Sequence, residues 1–374
     1  MKVPIPACFL MLIAFSCIGR VQAADQLLNL AGVPKEERTK IPLEFTWPSA
    51  PGEAAVCMWK DDKLGVISYG IDDNCAQNID WWLKETAERG IKVTWFLVAD
   101  HISNRNITMN GTWERWAEVF AQGHGIESHS MTHFSGSRDM STWKGLEWEY
   151  GGSKKLIEEK LPGHRVSSLT YVGGTYPVKN DPAVAAKFYS AARGGNSTIN
   201  PPQGIDYFNV RAMTQPNLGE RPEKDYSNAD KIMEPSHPSY RGWVVLVYHY
   251  VKEEDPEIVA SFRKHLDYAV THKDKLWCGR FGDVIRYAAS RETSNLMVME
   301  NRPDRIAIKL TDRMSDEYFD FPLTVKVRLP DNWNTLQAKQ NGKPTAMRIV
   351  DHKGAKFALV DVVPDRGEAV LTSQ

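Results

Sequence analysis

The chain has 374 residues, 42% hydrophobic and 25% charged, the balance of an ordinary soluble globular protein of one large domain plus a smaller one. Lys and Arg total 46 against 47 Asp and Glu. The resulting net charge of −1 argues against a nucleic-acid partner or an anionic membrane surface.

In chain order, Lys2 is followed by the apolar run "ACFLMLIAFSCIG" and then by "VQA" at 21–23. A basic start, a short apolar core and small residues at −3 and −1 describe an export signal at residues 1–23, cut after Ala23. The run is too short to span a bilayer comfortably, and "AFSC" around Cys17 is a poor lipoprotein signal. The expected location is periplasmic or extracellular. Outside the leader stand Cys57, Cys75 and Cys278. An exported chain could join two of them, and the absence of C-x-x-C argues against cysteine ligation of a metal.

A polar, proline-bearing approach segment (24–55) leads into alternating apolar runs and helical patterns. Strands are expected at 64–71, 91–98, 125–130, 166–172, 188–193, 243–251 and 275–281. Helices are expected at 76–89 and 113–123, after Asp181-Pro182, after Asp255-Pro256, and in "GDVIRYAAS". Continuous apolar strands separated by helices argue for a parallel α/β arrangement, and about seven repeats of the unit favour a barrel over residues 56–294. From residue 297 to 374 the pattern changes to short strands split by Asn-Gly, Lys-Gly, Arg-Gly and proline turns, which predicts a small all-β sandwich.

Ionisable residues gather at the expected strand ends. Asp72 and Asp73 close the first strand, where a solvated turn competes with a site needing one carboxylate as ligand and another as base. His129 and His133, spaced i, i+4, can face one point if the backbone turns helically there. Two imidazoles and a carboxylate make a ligand set with open positions for Zn²⁺ or a neighbouring divalent metal such as Co²⁺ or Ni²⁺. An isolated H-x-x-x-H is more often exposed or satisfied by hydrogen bonds. Here His249 also ends a strand, so three strands deliver ionisable groups to the C-terminal face where barrel sites assemble.

"SYGIDD", "ESHSMTH" and "VLVYH", in this order, resemble the polysaccharide deacetylase (NodB-homology) family, carbohydrate esterase family 4, over roughly residues 60–290. The resemblance implies a distorted (β/α) barrel in which Asp73, His129 and His133 hold the metal and Asp72 is the general base. His249 would then be the general acid. It also implies an acetylated glycan as substrate. Two motifs depart from the family. Val172, Gly173 and Gly174 stand where its third motif carries an arginine that orients the base, and "SAARGGN" stands where its fourth lies. Arg193 is expected to supply the missing cation beside Asp72, with an inter-helix salt bridge as the competing reading, and Gly173 keeps a backbone N–H for an oxyanion.

His124 reads as structural and Trp81-Trp82 as helix packing. Trp143, Trp148 and Tyr171 could stack on sugar rings, with core packing the competing reading. Hydrolysis of a non-carbohydrate amide or cyclic imide on the same barrel, and non-catalytic glycan binding, are the alternative functions.

Overall fold

The computed structural model describes residues 26–134, 141–174, 181–214 and 229–373; the expected leader at 1–23 and Thr175–Pro177 of the altered third motif lie outside them. The three-residue β1 (Ala54–Val56) precedes eight strands of one parallel sheet. These are β2 (Gly65–Ile71), β3 (Thr94–Leu97), β4 (Gly125–Ser128), β5 (Ser168–Thr170), β6 (Ala191–Asn196), β7 (Val210–Thr214), β8 (Trp243–Tyr248) and β9 (Leu276–Cys278). Strands β2 to β8 close on themselves through the β2–β3 pairing. All of β2 and β8 is buried, as expected for parallel strands covered on both faces.

The barrel is distorted at β2. One edge of this strand pairs with β8 along its length, from Val66↔Trp243 to Ile71↔Tyr248. Its other pairings are divided between β9, at Gly65–Ile67, and β3, at Gly70 and Ile71. The C-terminal end of β2 therefore sits inside the closed ring, with β3 and β8 beside it.

Helices α1 (Ile79–Arg89), α2 (Ile107–Asn110), α3 (Trp113–Ala121), α4 (Ser153–Lys160), α5 (Asp181–Ala185), α6 (Pro256–Thr271) and α7 (Phe281–Glu292) lie between or after the strands. Local chemistry sets their ends. The Asp255 carboxylate accepts from the N–H groups of Glu257 and Ile258, with Pro256 opening α6, and Gly90 at φ +65° ends α1.

The remaining strands form two antiparallel sheets. They are β10 (Asn295–Arg302), β11 (Arg305–Thr311), β12 (Leu323–Arg328), β13 (Leu336–Gln340), β14 (Lys343–Pro344), β15 (Met347–His352), β16 (Ala355–Val362) and β17 (Ala369–Ser373). One sheet runs β10-β11-β17-β13-β14 and the other β1-β12-β16-β15. The fold is thus α/β, a distorted (β/α) barrel followed by a small all-β sandwich.

Three details differ from the expectations. The 55/56 boundary runs through β1, which pairs with β12 (Ala54↔Val327 to Val56↔Val325) and so belongs to the C-terminal sheet. Strand β7 went unforeseen, since "VRAMT" is short and carries no alternation. The strand expected to run through Ser130 ends at Ser128, because Ser130 turns to φ +68°.

Candidate active site

The C-terminal end of β2 builds the centre of the site. The Asp72 N–H still donates to the Tyr248 carbonyl, 2.9 Å away, as part of the ladder toward β8. Asp73, Asn74 and Cys75 then take φ of +58°, +63° and +49°, a run of left-handed residues costing about 1–2 kcal/mol apiece. Asn74 holds this turn in place. Its side chain accepts from Val98 N–H at 2.8 Å and donates to the Val98 carbonyl and to Asn110 Oδ1. The two aspartates, both beyond the last strand residue Ile71, point apart because the backbone turns left-handed from Asp73 onward.

Asp72 and Arg193 form a buried ion pair, Nη2 to Oδ2 2.5 Å, with 8% and 2% of the side chains exposed. Arg193 comes from β6, and its Nε donates to Thr170 Oγ1 on the paired residue of β5. The guanidinium also lies 4.9 Å from the Phe96 ring centroid. The other Asp72 oxygen, Oδ1, is buried without a hydrogen-bond partner among the described residues.

Asp73 meets the histidines. Its Oδ1 lies 3.3 Å from His129 Nε2 and 3.1 Å from His133 Nε2, while Oδ2 lies 3.7 Å from His249 Nε2. The His129 and His133 rings stand nearly perpendicular, at 86°. Turns at Ser130 (φ +68°) and His133 (φ +57°) bring the i, i+4 pair together, in place of the helical turn expected from spacing. His129 Nδ1 is 3.0 Å from the Thr170 carbonyl; a carbonyl only accepts, so Nδ1 carries the proton and Nε2 keeps its lone pair toward Asp73.

These three residues fit a divalent cation. Oδ1 of Asp73 is buried and close to two imidazole nitrogens, yet it has no hydrogen-bond partner among the described residues. Ligand atoms about 2.1 Å from one ion stand about 3.0 Å apart at right angles and about 3.4 Å apart at the tetrahedral angle. The observed 3.1 and 3.3 Å fall between these limits. Among the described residues, only Asp73, His129 and His133 group in this way.

The electrostatics agree. Burial alone would raise the Asp73 carboxyl, but His129 and His133 hold it well below the usual carboxylate range. Burial alone would lower the His129 imidazole, and the nearby Asp73 and Asp72 raise it instead.

Gly173 stands in the turn Val172–Gly174 that follows β5, at φ +68°, with open space beside its Cα among the described residues. His124 accepts from the Val93 N–H and packs edge-on against Trp95, and burial lowers its imidazole to about 4. It lies at the other end of β3 and β4, as a structural residue. Trp81 and Trp82 pack edge-to-face with Phe262 in the core, and the Tyr171 hydroxyl donates to the Phe208 carbonyl. Trp143 stacks on Phe134, and Lys144 covers Trp148. Cys57, Cys75 and Cys278 are all free thiols, so no pair of them is joined.

Two supporting residues were not anticipated. Thr170 joins both halves of the site, its carbonyl holding His129 and its hydroxyl holding Arg193. Glu149 is buried behind the histidine loop and accepts from the N–H groups of Met131 and Thr132, from the Thr132 hydroxyl and from Trp143 Nε1. Neither has a sequence signal of its own, because each acts through a contact distant in the chain.

Residues 60–188, which span β2 to β5 with both aspartates and both loop histidines, match the polysaccharide deacetylase family model. The match covers about the first half of the barrel and bears out the resemblance carried by the sequence motifs. A curated relative, a gellan lyase from Bacillus sp, is 31% identical over 368 residues. That match covers 93% of this chain, but the chain spans only 14% of the relative's length. The chain is also similar to solved structures at low identity. One is the CE4 domain of a multidomain xylanase from the hindgut metagenome of Trinervitermes trinervoides (13% identity, 59% of this chain and 89% of that one, TM-score 0.38). Another is the peptidoglycan deacetylase PdaC from Bacillus subtilis (11%, 59% and 90%, TM-score 0.35). A third is a CE4 family pseudoenzyme from Bacillus anthracis (12%, 59% and 66%, TM-score 0.39).

Proposed function

We propose that this protein is an exported, metal-dependent hydrolase that removes acetyl groups from a carbohydrate, the metal being Zn²⁺, with Co²⁺ or Ni²⁺ able to replace it. One observation carries the reading. The Asp73–His129–His133 set, the Asp72–Arg193 pair and His249 meet on one rim of a polysaccharide deacetylase domain. A glycan binder has no use for a base and an acid beside the ligand set.

Asp73, His129 and His133 would hold the cation, which when bound supplies Lewis acidity toward a water and the acyl carbonyl. Asp72 takes the proton of the attacking water on Oδ1, the oxygen left without a partner, while Arg193 fixes the carboxylate through Oδ2. The water oxygen bonds to the acyl carbon, and the Gly173 N–H supports the oxyanion of the tetrahedral intermediate. His249, as imidazolium, gives its proton to the departing nitrogen or oxygen as the acyl bond breaks and acetate leaves.

Arg193 takes the place of the third-motif arginine. It reaches Asp72 from β6 instead of from the turn after β5, which leaves Val172–Gly174 free of that duty. The substrate class rests on the family match and on the gellan lyase relative, whose name denotes action on a polysaccharide.

Acetate release from acetylated chitooligosaccharide, xylan, gellan and peptidoglycan, before and after chelation, tests the proposal. Release that stops with chelator and returns with Zn²⁺ is expected. Bound metal without release from any glycan, together with turnover of a simple amide or cyclic imide, would move the activity away from sugar.

A further inference from the structure

Arg241 is buried, with 2% of its surface exposed, where the approach segment, the barrel and the β12 sheet meet. Its backbone is held at φ +63°, with the N–H donating to the Ile232 carbonyl and its own carbonyl accepting from Trp59 Nε1 at 2.6 Å. A non-glycine residue kept in this conformation needs fixed surroundings, and these direct the side chain inward. The guanidinium lies 4.2 Å from the Phe45 ring centroid, and Nη1 makes one long bond to the Leu43 carbonyl. Nε and Nη2 form the side-on fork that grips anions with two parallel N–H groups. Both atoms are buried without a hydrogen-bond partner among the described residues.

The charge count at this place is uneven. Lys326 is also buried, beside Phe45 and Trp47, and pairs with Asp62. Arg241 forms no ion pair with any described carboxylate and feels the charge of the Asp62 already paired with Lys326, so among the described residues two buried cations share one carboxylate. A buried charge without a counter-charge is strongly destabilising. Arg241, Lys326 and Asp62 line a cavity of about 20 Å³, the room that one water or monatomic ion needs.

We propose that this cavity binds a small monovalent anion of chloride size, held by Arg241 with Lys326 beside it, which ties the approach segment and the barrel to the C-terminal sheet. The ion completes a charge balance that the side chains leave open, and its release loosens all three segments together. The competing source of negative charge is Glu44, which lines the same cavity from an exposed position.

Thermal unfolding of the full chain in chloride and in gluconate, at equal ionic strength, tests the proposal together with the NMR linewidth of chloride. The melting temperature rises by several degrees with chloride and saturates, as ligand binding to the folded state requires. Wild-type protein shows a saturable broadening of the chloride signal that bromide displaces, and R241Q loses both effects. E44Q keeps them. Should R241Q fail to fold, the wild-type broadening and its displacement still decide the matter. Absence of saturable broadening in wild type overturns the proposal, as does a melting temperature indifferent to the anion. An E44Q protein destabilised equally in both salts also overturns it, by assigning the counter-charge to Glu44.

Discussion

Asp72 and Arg193 depend on each other, since removing one partner of a buried ion pair leaves the other uncompensated, at about 3–5 kcal/mol. Asp72→Asn keeps the shape and removes the proposed base. It is predicted to lower kcat by about 10²–10⁴ with metal content unchanged, as steady-state kinetics and elemental analysis of the same sample would show. Arg193→Lys keeps a charge but loses the planar group that bonds Thr170 and lies against Phe96, so a fall in kcat larger than any change in KM is expected. A second residue controls stability. Glu127 is fully buried, and burial pushes its carboxyl up to about 7 despite three donors from Ser167 and Ser168. A folded-state value above the unfolded one means that its stabilisation is complete below about 4.5 and is lost as the pH rises through 7. Denaturant melts of wild type and Glu127→Gln should therefore diverge over this range, with wild type losing up to about 3 kcal/mol relative to the variant. Taking the difference between the two proteins cancels the opposite contributions of His124 and His164, which burial lowers to about 4.

At the scale of elements, the site is a set of strand ends joined by loops that leave regular geometry. The sequence was informative about which strands end in ionisable groups, because buried parallel strands are apolar runs and Asp72, His129 and His249 interrupt them. It was silent on how the loops bring these groups together. The left-handed run at Asp73–Cys75 and the turns at Ser130 and His133 depend on Asn74 and Glu149 finding partners far away in the chain, and on the Ser130 hydroxyl accepting from the His133 N–H. Arg193 was legible only as a cation near the expected place, whereas its link to His129 through Thr170 required the β5–β6 register. Glu149→Ala strands four donors that now share one carboxylate, at about 1–3 kcal/mol for each that stays buried and unpaired. Loosening the 129–133 loop this way should weaken metal affinity about 10–100-fold by titration calorimetry, with Asp72 and Arg193 untouched.

Across the whole molecule, the segment before the barrel returns to the sandwich, and a buried seam joins the two. β1 precedes the barrel in the chain but pairs with β12, and the Tyr287 hydroxyl of α7 donates to the Cys57 carbonyl just after β1. The change from helical to strand pattern near residue 297 was plain in the sequence. The return of residues 54–56 to that sheet was not, because three residues carry no periodicity. A chain ended at residue 294 removes the partner of β1 and uncovers part of α7. It should melt well below the full chain or be recovered as aggregate, and a soluble fragment with the melting temperature of the full chain would show that the seam contributes little.

The proposed activity stands on Asp73, His129 and His133 holding a metal on which deacetylation depends. The most direct measurement is metal content and acetate release on the same samples of wild type, D73A and H133A, before and after chelation and reloading with Zn²⁺. One equivalent of metal and chelator-sensitive acetate release in wild type, with both lost in the two variants, is predicted. Acetate release by metal-free wild type, or full metal content and activity in D73A, would rule out a metal-dependent site at these residues.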